Sequence, residues 1–293
     1  MAEYLRRVIL MRGPPSPLLA ALDQIPPLPQ VTTRAMALIR DPDSSRSDLS
    51  RVLAMDQGMT GVFLRMVNSA YYGLYRRVTS LNEAVGYLGY ETVKGVIFAL
   101  SARNILARPL PSYLLERYAL WKHSLATAVG SDWIASKHRI TPRNEVYVAG
   151  LLHDVGKTAL DVMLGHQAYW LKDLKDEPNQ EAWTKAEREI TGYDHAEAGA
   201  FVARRWNLPD RIVEAVACHH CPERAEIDPR FTSVVHIANT SALMAGIGLG
   251  MDSVQYDFSE FAIGLLGWSE RDLEGLIGVM QGAVQEAEET LDM

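Results

Sequence analysis

The chain has 293 residues, with 29 basic and 36 acidic side chains, a formal charge of −7, 48% hydrophobic and 22% charged residues. That balance belongs to a folded globular protein with ample core material, and it excludes a disordered chain; 21 glycines and 14 prolines exclude collagen-like or low-complexity architecture. Two cysteines, Cys218 and Cys221, cannot staple a chain this long, which points to a reducing compartment. No apolar run approaches the ~20 residues needed to span a bilayer. Met1 to Arg12 carries basic residues in its middle, with no long apolar stretch or cleavage site, so the expected location is the cytoplasm, with no membrane partner. Charge is uneven: residues 1–112 carry 13 Lys and Arg against 8 Asp and Glu, residues 113–293 carry 16 against 28. Two parts with different partners are one reading of that asymmetry.

The recurring signal is apolar spacing at i, i+3 and i+4, while alternation long enough for a sheet is lacking. After the Pro-rich entry Ile25-Pro26-Pro27-Leu28-Pro29, the residues Val31, Ala35, Leu38 and Ile39 mark a first helix, ended by Asp41-Pro42-Asp43. Ser47 is placed to cap the next helix, which turns Leu49, Val52 and Leu53 inward. A third starts near Met59 and runs to Asn68. Ser80 then introduces Leu81, Ala84, Val85 and Leu88 before Gly89 stops the helix, and another spans Thr92 to about Leu106. Pro109 and Pro111 mark the best boundary in the chain. Beyond it, helices are expected from Tyr113 to about Lys137, with Leu114, Tyr118, Leu125, Val129 and Trp133 as the buried stripe, and from Arg143 to Leu152. Further helices begin at Asp194, whose pairing with Glu197 has capping-box logic, and at Pro209 as a first residue. The last two span Phe231–Met244 and Asp272–Glu289. The expected fold is all-α in two lobes, an N-terminal helical bundle and a C-terminal helical lobe, split near residue 112.

The chemistry is concentrated in the histidines. His123 lies within a helix, His153 and Asp154 follow an apolar helix, His195 follows a cap, and His219 and His220 close another helix. Imidazoles and a carboxylate brought together by several helices are the usual material for a Zn, Fe, Mn or Ni site. In Leu151-Leu152-His153-Asp154-Val155-Gly156-Lys157, two polar side chains after an apolar stripe would be costly to bury without partners, and a divalent cation would satisfy both. Gly156 lets the chain break there, and Lys157 is placed to meet an anionic phosphate. Ala119, Ala126 and Gly130 around His123 leave room for another helix or a ligand. Each feature has a plainer reading. His153-Asp154 would serve as a hydrogen-bonded structural pair, His123 as a satisfied core histidine, His195 as dressing on a helix start, and one of His219 and His220 as a solvated C-terminal cap. His138, His166 and His236 belong to no motif and read as structural or surface residues. Cys218 and Cys221 bracket the histidine pair as C-x-x-C, yet the redox setting and the second cysteine pair of a zinc site are both lacking, so they read as ordinary thiols.

Nucleic-acid binding has some support: residues 80–100 read as helix, turn, helix, near Arg76, Arg77, Lys94 and Arg103. Val93, Val96, Ile97 and Phe98 belong in a core, however, and leave no recognition face, so nucleic acid is not the expected partner. Tyr71, Tyr72 and Tyr75 read better as a packed hinge than as a partner surface.

His153-Asp154 with Gly156, Lys157 and the earlier His123 resembles the core of HD-superfamily phosphohydrolases. Several stretches resemble, more narrowly, the HDOD family of bacterial signalling proteins. They are Ile25–Pro29, Asn68-Ser69-Ala70-Tyr71-Tyr72-Gly73, Thr79-Ser80-Leu81 through Ala84 to Leu88-Gly89, Asp194-His195-Ala196-Glu197 to Gly199, Trp206-Asn207-Leu208-Pro209, and His219-His220. The likeness runs from about residue 18 to 222 in matching order. It implies an extension at 1–17, a module over 18–222 (lobes 18–112 and 113–222), and a helical continuation over 223–293. The related HD-GYP branch, which hydrolyses cyclic di-GMP, holds metals with residues matching His123, His153, Asp154, His195, His219 and His220, and all six are here. Two positions depart. The glutamate one turn before the first histidine is Ala119, and a later helical aspartate falls at or near Asn239; Cys221-Pro222-Glu223-Arg224 also replaces the Gly-Tyr-Pro signature. Two lost carboxylates remove charge that would hold a second cation and help activate water. The resemblance therefore implies a signal-transduction module with a retained or vestigial pocket for a divalent metal (Fe, Mn, Zn or Ni), acting through a signalling protein or a small ligand. The alternative is a metal-dependent phosphohydrolase acting on a nucleotide or cyclic dinucleotide, with Asp154 and Lys157 as its catalytic residues.

Overall fold

The structure is a computed structural model that describes residues 16–25, 30, 33–34, 37–38, 45–53, 57–68, 72–165, 180–248 and 257–291. The helix expected through Val31, Ala35 and Ile39, its end at Asp41-Pro42-Asp43, Pro26–Pro29, Ser69–Tyr71 and His166 lie outside the described residues. In chain order the α-helices are α1 Ser16–Gln24, α2 Arg46–Leu53, α3 Gln57–Val67, α4 Leu81–Leu88, α5 Tyr90–Leu106, α6 Ala119–His138 and α7 Arg143–Leu152. They continue as α8 Gly156–Met163, α9 Gln180–Thr191, α10 His195–Arg205, α11 Asp210–Cys218, α12 Pro229–Met244, α13 Glu260–Leu266 and α14 Glu270–Leu291. Among the described residues there is no strand, only an isolated bridge between Leu110 and Leu115. The fold is all-α.

Two apolar cores explain the lobes. The smaller gathers Val52, Phe63, Val67, Val85, Val93, Val96 and Ile97 from α2 to α5. The larger is built around α6, against which α7, α12 and α14 pack. Helix α5 belongs to both: Val93, Val96, Ile97 and Leu100 enter the small core, while Phe98, Ala102, Ile105 and Leu106 enter the large one. A helix buried on two sides shows no single apolar stripe. Leu18 and Leu22 of α1 are buried in the large core, with α1 against α8, so this helix packs on the second lobe. Helix α14 also reaches back to α3.

Local chemistry sets most of the boundaries. Ser80 caps α4 by accepting from the Glu83 amide at 3.2 Å, and Gly89 ends it at φ +83°, a left-handed conformation that favours glycine. The helix expected from Tyr113 starts only at Ala119: residues 111–113 form a 3-10 turn, and Leu114 and Tyr118 take positive φ, which no helix accepts. Leu114 is consequently exposed rather than part of the buried stripe. Helix α2 begins one residue after Ser45, whose backbone N–H donates to Asp48 at 2.8 Å, so Ser45 rather than Ser47 flanks it. Pro209 is the cap of α11 rather than its first residue. Tyr75 is fully exposed and so is not part of a packed hinge. Helices α1, α8, α9 and α13 have no counterpart in the sequence reading.

Candidate metal centre

Close helix packing builds the pocket. A side chain at Gly150 of α7 would stand 2.8 Å from the Thr127 carbonyl and 2.9 Å from Ala128 Cα on α6, so glycine lets the two helices touch. His123 projects from the second turn of α6, and His153 caps the end of α7. Gly156 matters by contact rather than by breaking the chain. A Cβ there would lie 1.9 Å from the His195 carbonyl and 2.4 Å from the Gly199 amide, so its absence sets α8 directly on α10. The expected capping box at α10 is complete. Asp194 accepts from the Glu197 amide at 2.7 Å, and Glu197 accepts from the Asp194 amide at 3.0 Å, which fixes His195 as the first helical residue. His219 and His220 follow directly on α11.

These elements bring all six expected residues together. His123, His153 and Asp154 form one group and His195, His219 and His220 another, with donor atoms in each within 4.8 Å of one another. Asp154 stands between the groups. Its Oδ2 faces His153 Nε2 at 3.5 Å and His123 Nε2 at 3.7 Å, while its Oδ1 faces His195 Nε2 at 3.2 Å and His219 Nε2 at 3.7 Å. Lys157 lies against Asp154 Oδ2 at 2.8 Å, an internal ion pair. Asn239 is in the pocket too, 2.9 Å from His123 Nε2. Ala119 lies under the turn after α12: a side chain at Gly248 would come within 2.4 Å of the Ala119 carbonyl.

Backbone carbonyls assign the tautomers. His153 Nδ1 donates to the Gly150 carbonyl and His219 Nδ1 to the Val216 carbonyl, each at 2.7 Å, which leaves the Nε2 lone pairs facing inward. Burial pushes His153 down to about 4 and drives His219 and His220 well below the usual histidine range, so these rings are neutral at pH 7. Burial opposes the charge on Asp154, but Lys157, His153 and His195 outweigh it and hold the carboxyl well below its ordinary value. Burial also opposes a charged His195, yet the Glu187 and Asp154 carboxylates raise it to about 10. His195 Nε2 and His220 Nε2 face each other at 2.7 Å and share one proton, which a cation taking His195 Nε2 would displace.

The two halves differ in what is left unsatisfied. His123 Nε2 lies 2.9 Å from the Asn239 amide oxygen and 3.2 Å from His153 Nε2, its Nδ1 lies 3.3 Å from the Ile247 carbonyl, and Lys157 covers Asp154 Oδ2. In the other half, Asp154 Oδ1, His219 Nε2 and His220 Nδ1 are buried without a hydrogen-bond partner. Buried polar atoms are normally paired, and stranding one costs roughly 1–3 kcal/mol. His219 Nε2 and Asp154 Oδ1 have lone pairs unspent there, and His195 and His220 Nε2 would join them once a cation displaced the proton they share, so the set fits a divalent cation.

Glu187 is the residue the sequence reading missed. It lies fully buried on α9 and accepts from the His195 backbone amide at 2.8 Å, from His195 Nδ1 at 2.8 Å and from the Tyr113 hydroxyl at 2.9 Å. Nearby, Arg188 pairs with Asp194 and, at 3.2 Å, with Glu197, so neither acid of the capping box is left without a counter-charge. His236 is buried behind the site, donating to the His219 carbonyl at 2.8 Å and accepting from the Ser259 amide at 2.9 Å. Both cysteines are free thiols, and burial pushes Cys218 up to about 12, which disfavours the thiolate needed for redox or metal chemistry. A cavity of about 390 Å³ opens on the second half, lined by His220, Cys218, Cys221, Arg188, Arg224 and Thr184 among others.

Comparison with known proteins agrees with this architecture. A curated relative from Treponema pallidum, an uncharacterized protein, is 28% identical over 222 residues; the match covers 74% of this chain but only 42% of the relative, so this chain spans less than half that protein's length. An HDOD domain protein of unknown function from Geobacter sulfurreducens superposes with a TM-score of 0.74 at 25% identity, covering 100% of this chain and 98% of the other. A protein from Marinobacter aquaeolei, provisionally named a signal transduction protein, shares the fold with a TM-score of 0.73 at 19% identity, over 94% of this chain and 65% of its own. No helix among the described residues is long and apolar enough to cross a membrane. Residues 25–222 match the HDOD domain, and the chain belongs to the HDOD family.

Proposed function

We propose that the chain is a regulatory signalling module whose second lobe holds a single divalent cation, and that it acts by binding a partner or small ligand rather than by turnover. His195, His219 and His220 would hold the ion together with Asp154 Oδ1. The observation that carries this reading is the uneven satisfaction of the pocket. Unpartnered buried atoms collect on the His195 side, while the His123 side is closed by Asn239 and Lys157. When bound, the cation would polarise an anionic oxygen brought against it.

The chain's own residues define what could enter. The cavity on that side, about 390 Å³, lies at the small end of the range for ligand pockets, roughly 300–1,000 Å³. Arg224 and the His220 edge offer positive or donor groups there, and the acids Asp194 and Glu197 are engaged by Arg188. That setting suits a small phosphorylated ligand. Lys157, spent on Asp154, is not free to steady a phosphate unless that pair opens.

The second reading is a metal-dependent phosphohydrolase of the HD superfamily acting on a nucleotide or cyclic dinucleotide, favoured by the convergence of all six ligand-type residues. Metal analysis of the purified protein, followed by phosphodiesterase assay with Mn²⁺ or Fe²⁺, separates the two. Bound metal without turnover supports the regulator. Turnover abolished by His153→Ala or Asp154→Ala supports the enzyme and overturns the regulatory reading.

A further inference from the structure

The ring of His195 is held from behind by a carboxylate. Glu187 Oε2 takes both the backbone N–H and Nδ1–H of His195, at 2.8 Å each, and Oε1 lies 3.0 Å from the same Nδ1. One carboxylate therefore braces the start of α10 beside the capping box and sets which way its first side chain turns. Glu187 is in turn fixed by Tyr113, whose hydroxyl donates to Oε1 at 2.9 Å. Tyr113 is itself 1% exposed. It belongs to the 3-10 turn between α5 and α6, pinned where the Ser112 amide donates to the buried Asp161 of α8 at 2.8 Å. The Lys157 ammonium stands 5.8 Å from the centre of the Tyr113 ring, so the same tyrosine lines the far side of the Asp154–Lys157 pair.

We propose that Glu187, steadied by Tyr113, is a positioning residue for ion binding: it pins the Nδ1 proton of His195 so that Nε2 is the nitrogen aimed at the pocket. This rests on the reading that an ion is held by His195, His219, His220 and Asp154. A carboxylate behind a ligand histidine fixes its tautomer and orientation and makes its other nitrogen a stronger donor, and loss of such a partner costs about 10–100-fold in metal affinity. Glutamine at 187 keeps the volume but replaces one acceptor oxygen with an N–H₂ group. Its one oxygen can still accept from His195 while the N–H₂ group turns to the Tyr113 oxygen, but the negative charge behind the ring is gone.

The test is Co²⁺ titration of the full chain, read by its visible absorption bands and by calorimetry, with thermal unfolding in chelator as the measure of folding alone. Expected is a Co²⁺ spectrum for the wild type, about tenfold or greater loss of affinity with altered bands for Glu187→Gln, and a smaller loss in the same direction for Tyr113→Phe. Glu187→Asp, which restores the charge, should recover part of the affinity. If Glu187→Gln folds and binds Co²⁺ with the affinity and spectrum of the wild type, this inference is overturned while the ion-binding reading stands. If the wild type itself gives no Co²⁺ spectrum, the reading fails and takes the inference with it.

Discussion

The amide oxygen of Asn239 lies 2.9 Å from Nε2 of His123, and this pairing decides which half of the pocket has lone pairs to offer. An amide is neutral, so it occupies His123 Nε2 without adding the negative charge that would draw in a cation. Its partner in closing that half is Lys157, already bound to Asp154 Oδ2 at 2.8 Å.

Restoring the acid should reopen the closed half. Asn239→Asp places a second carboxylate beside Asp154, and the expected outcome is a rise from one to two equivalents of Mn²⁺ per chain, counted by elemental analysis after equilibrium dialysis. In chelator the same variant should be less stable than wild type by about 1–3 kcal/mol, because a buried charge is left without its ion. Unchanged stoichiometry would show that Asn239 is not what closes this half.

Gly156→Ala tests the packing that brings Asp154 to His195. The added methyl would meet backbone on both sides, 1.9 Å from the His195 carbonyl and 2.4 Å from the Gly199 amide, where no side chain can swing away. Thermal unfolding should show a loss of about 1–3 kcal/mol or more, accompanied by loss of metal binding. A variant of normal stability and normal metal content would contradict the close approach of α8 to α10.

The acid sensitivity of the α6–α14 contact has a defined sign. Asp272 pairs with Lys137 and accepts from the Ser269 hydroxyl at 2.8 Å. The Lys137 hydrogen bond, opposed by burial and aided by Ser269, holds its carboxyl below the ordinary value of 3.8. Because the folded value is the lower one, the stabilisation is complete above the unfolded value and is lost as pH falls through the folded value. Lys137 is 43% exposed, so solvent screens the pair and Asp272→Asn should cost only about 0.5–1 kcal/mol at pH 7. In denaturant titrations across pH, the gap between variant and wild type should close at strongly acid pH; a gap that widens there would contradict the assignment.

Much of this architecture is legible before any coordinates. Periodicity and caps mark α4, α7 and α12, and the Asp194–Glu197 box is visible in four residues because capping is a local rule. Helix α9 is not legible in the same way. Its stripe, Trp183, Ala186 and Glu187, has an acid on its buried side, so reading by apolar spacing alone passes over it. Glu187 was the cost: a buried glutamate looks like a solvated one until the partner histidine eight residues later and the tyrosine far upstream are seen beside it. The start of α6 is illegible for a related reason, since nothing in Leu114 or Tyr118 announces a positive φ that tertiary packing imposes. The six ligand-type residues were legible as types and as a likeness, but the division of labour among them depends on which atoms Asn239 and Lys157 occupy, and this is a matter of distances.

The central claim is that a single ion sits on the His195 side of Asp154. A crystal structure of the Mn²⁺- or Fe²⁺-loaded protein, with anomalous diffraction recorded at that metal's edge, tests it most directly. The account predicts one peak within ligand distance of His195, His219, His220 and Asp154 Oδ1. A peak confined to the space between His123 and His153, or no peak at saturating metal, would contradict it.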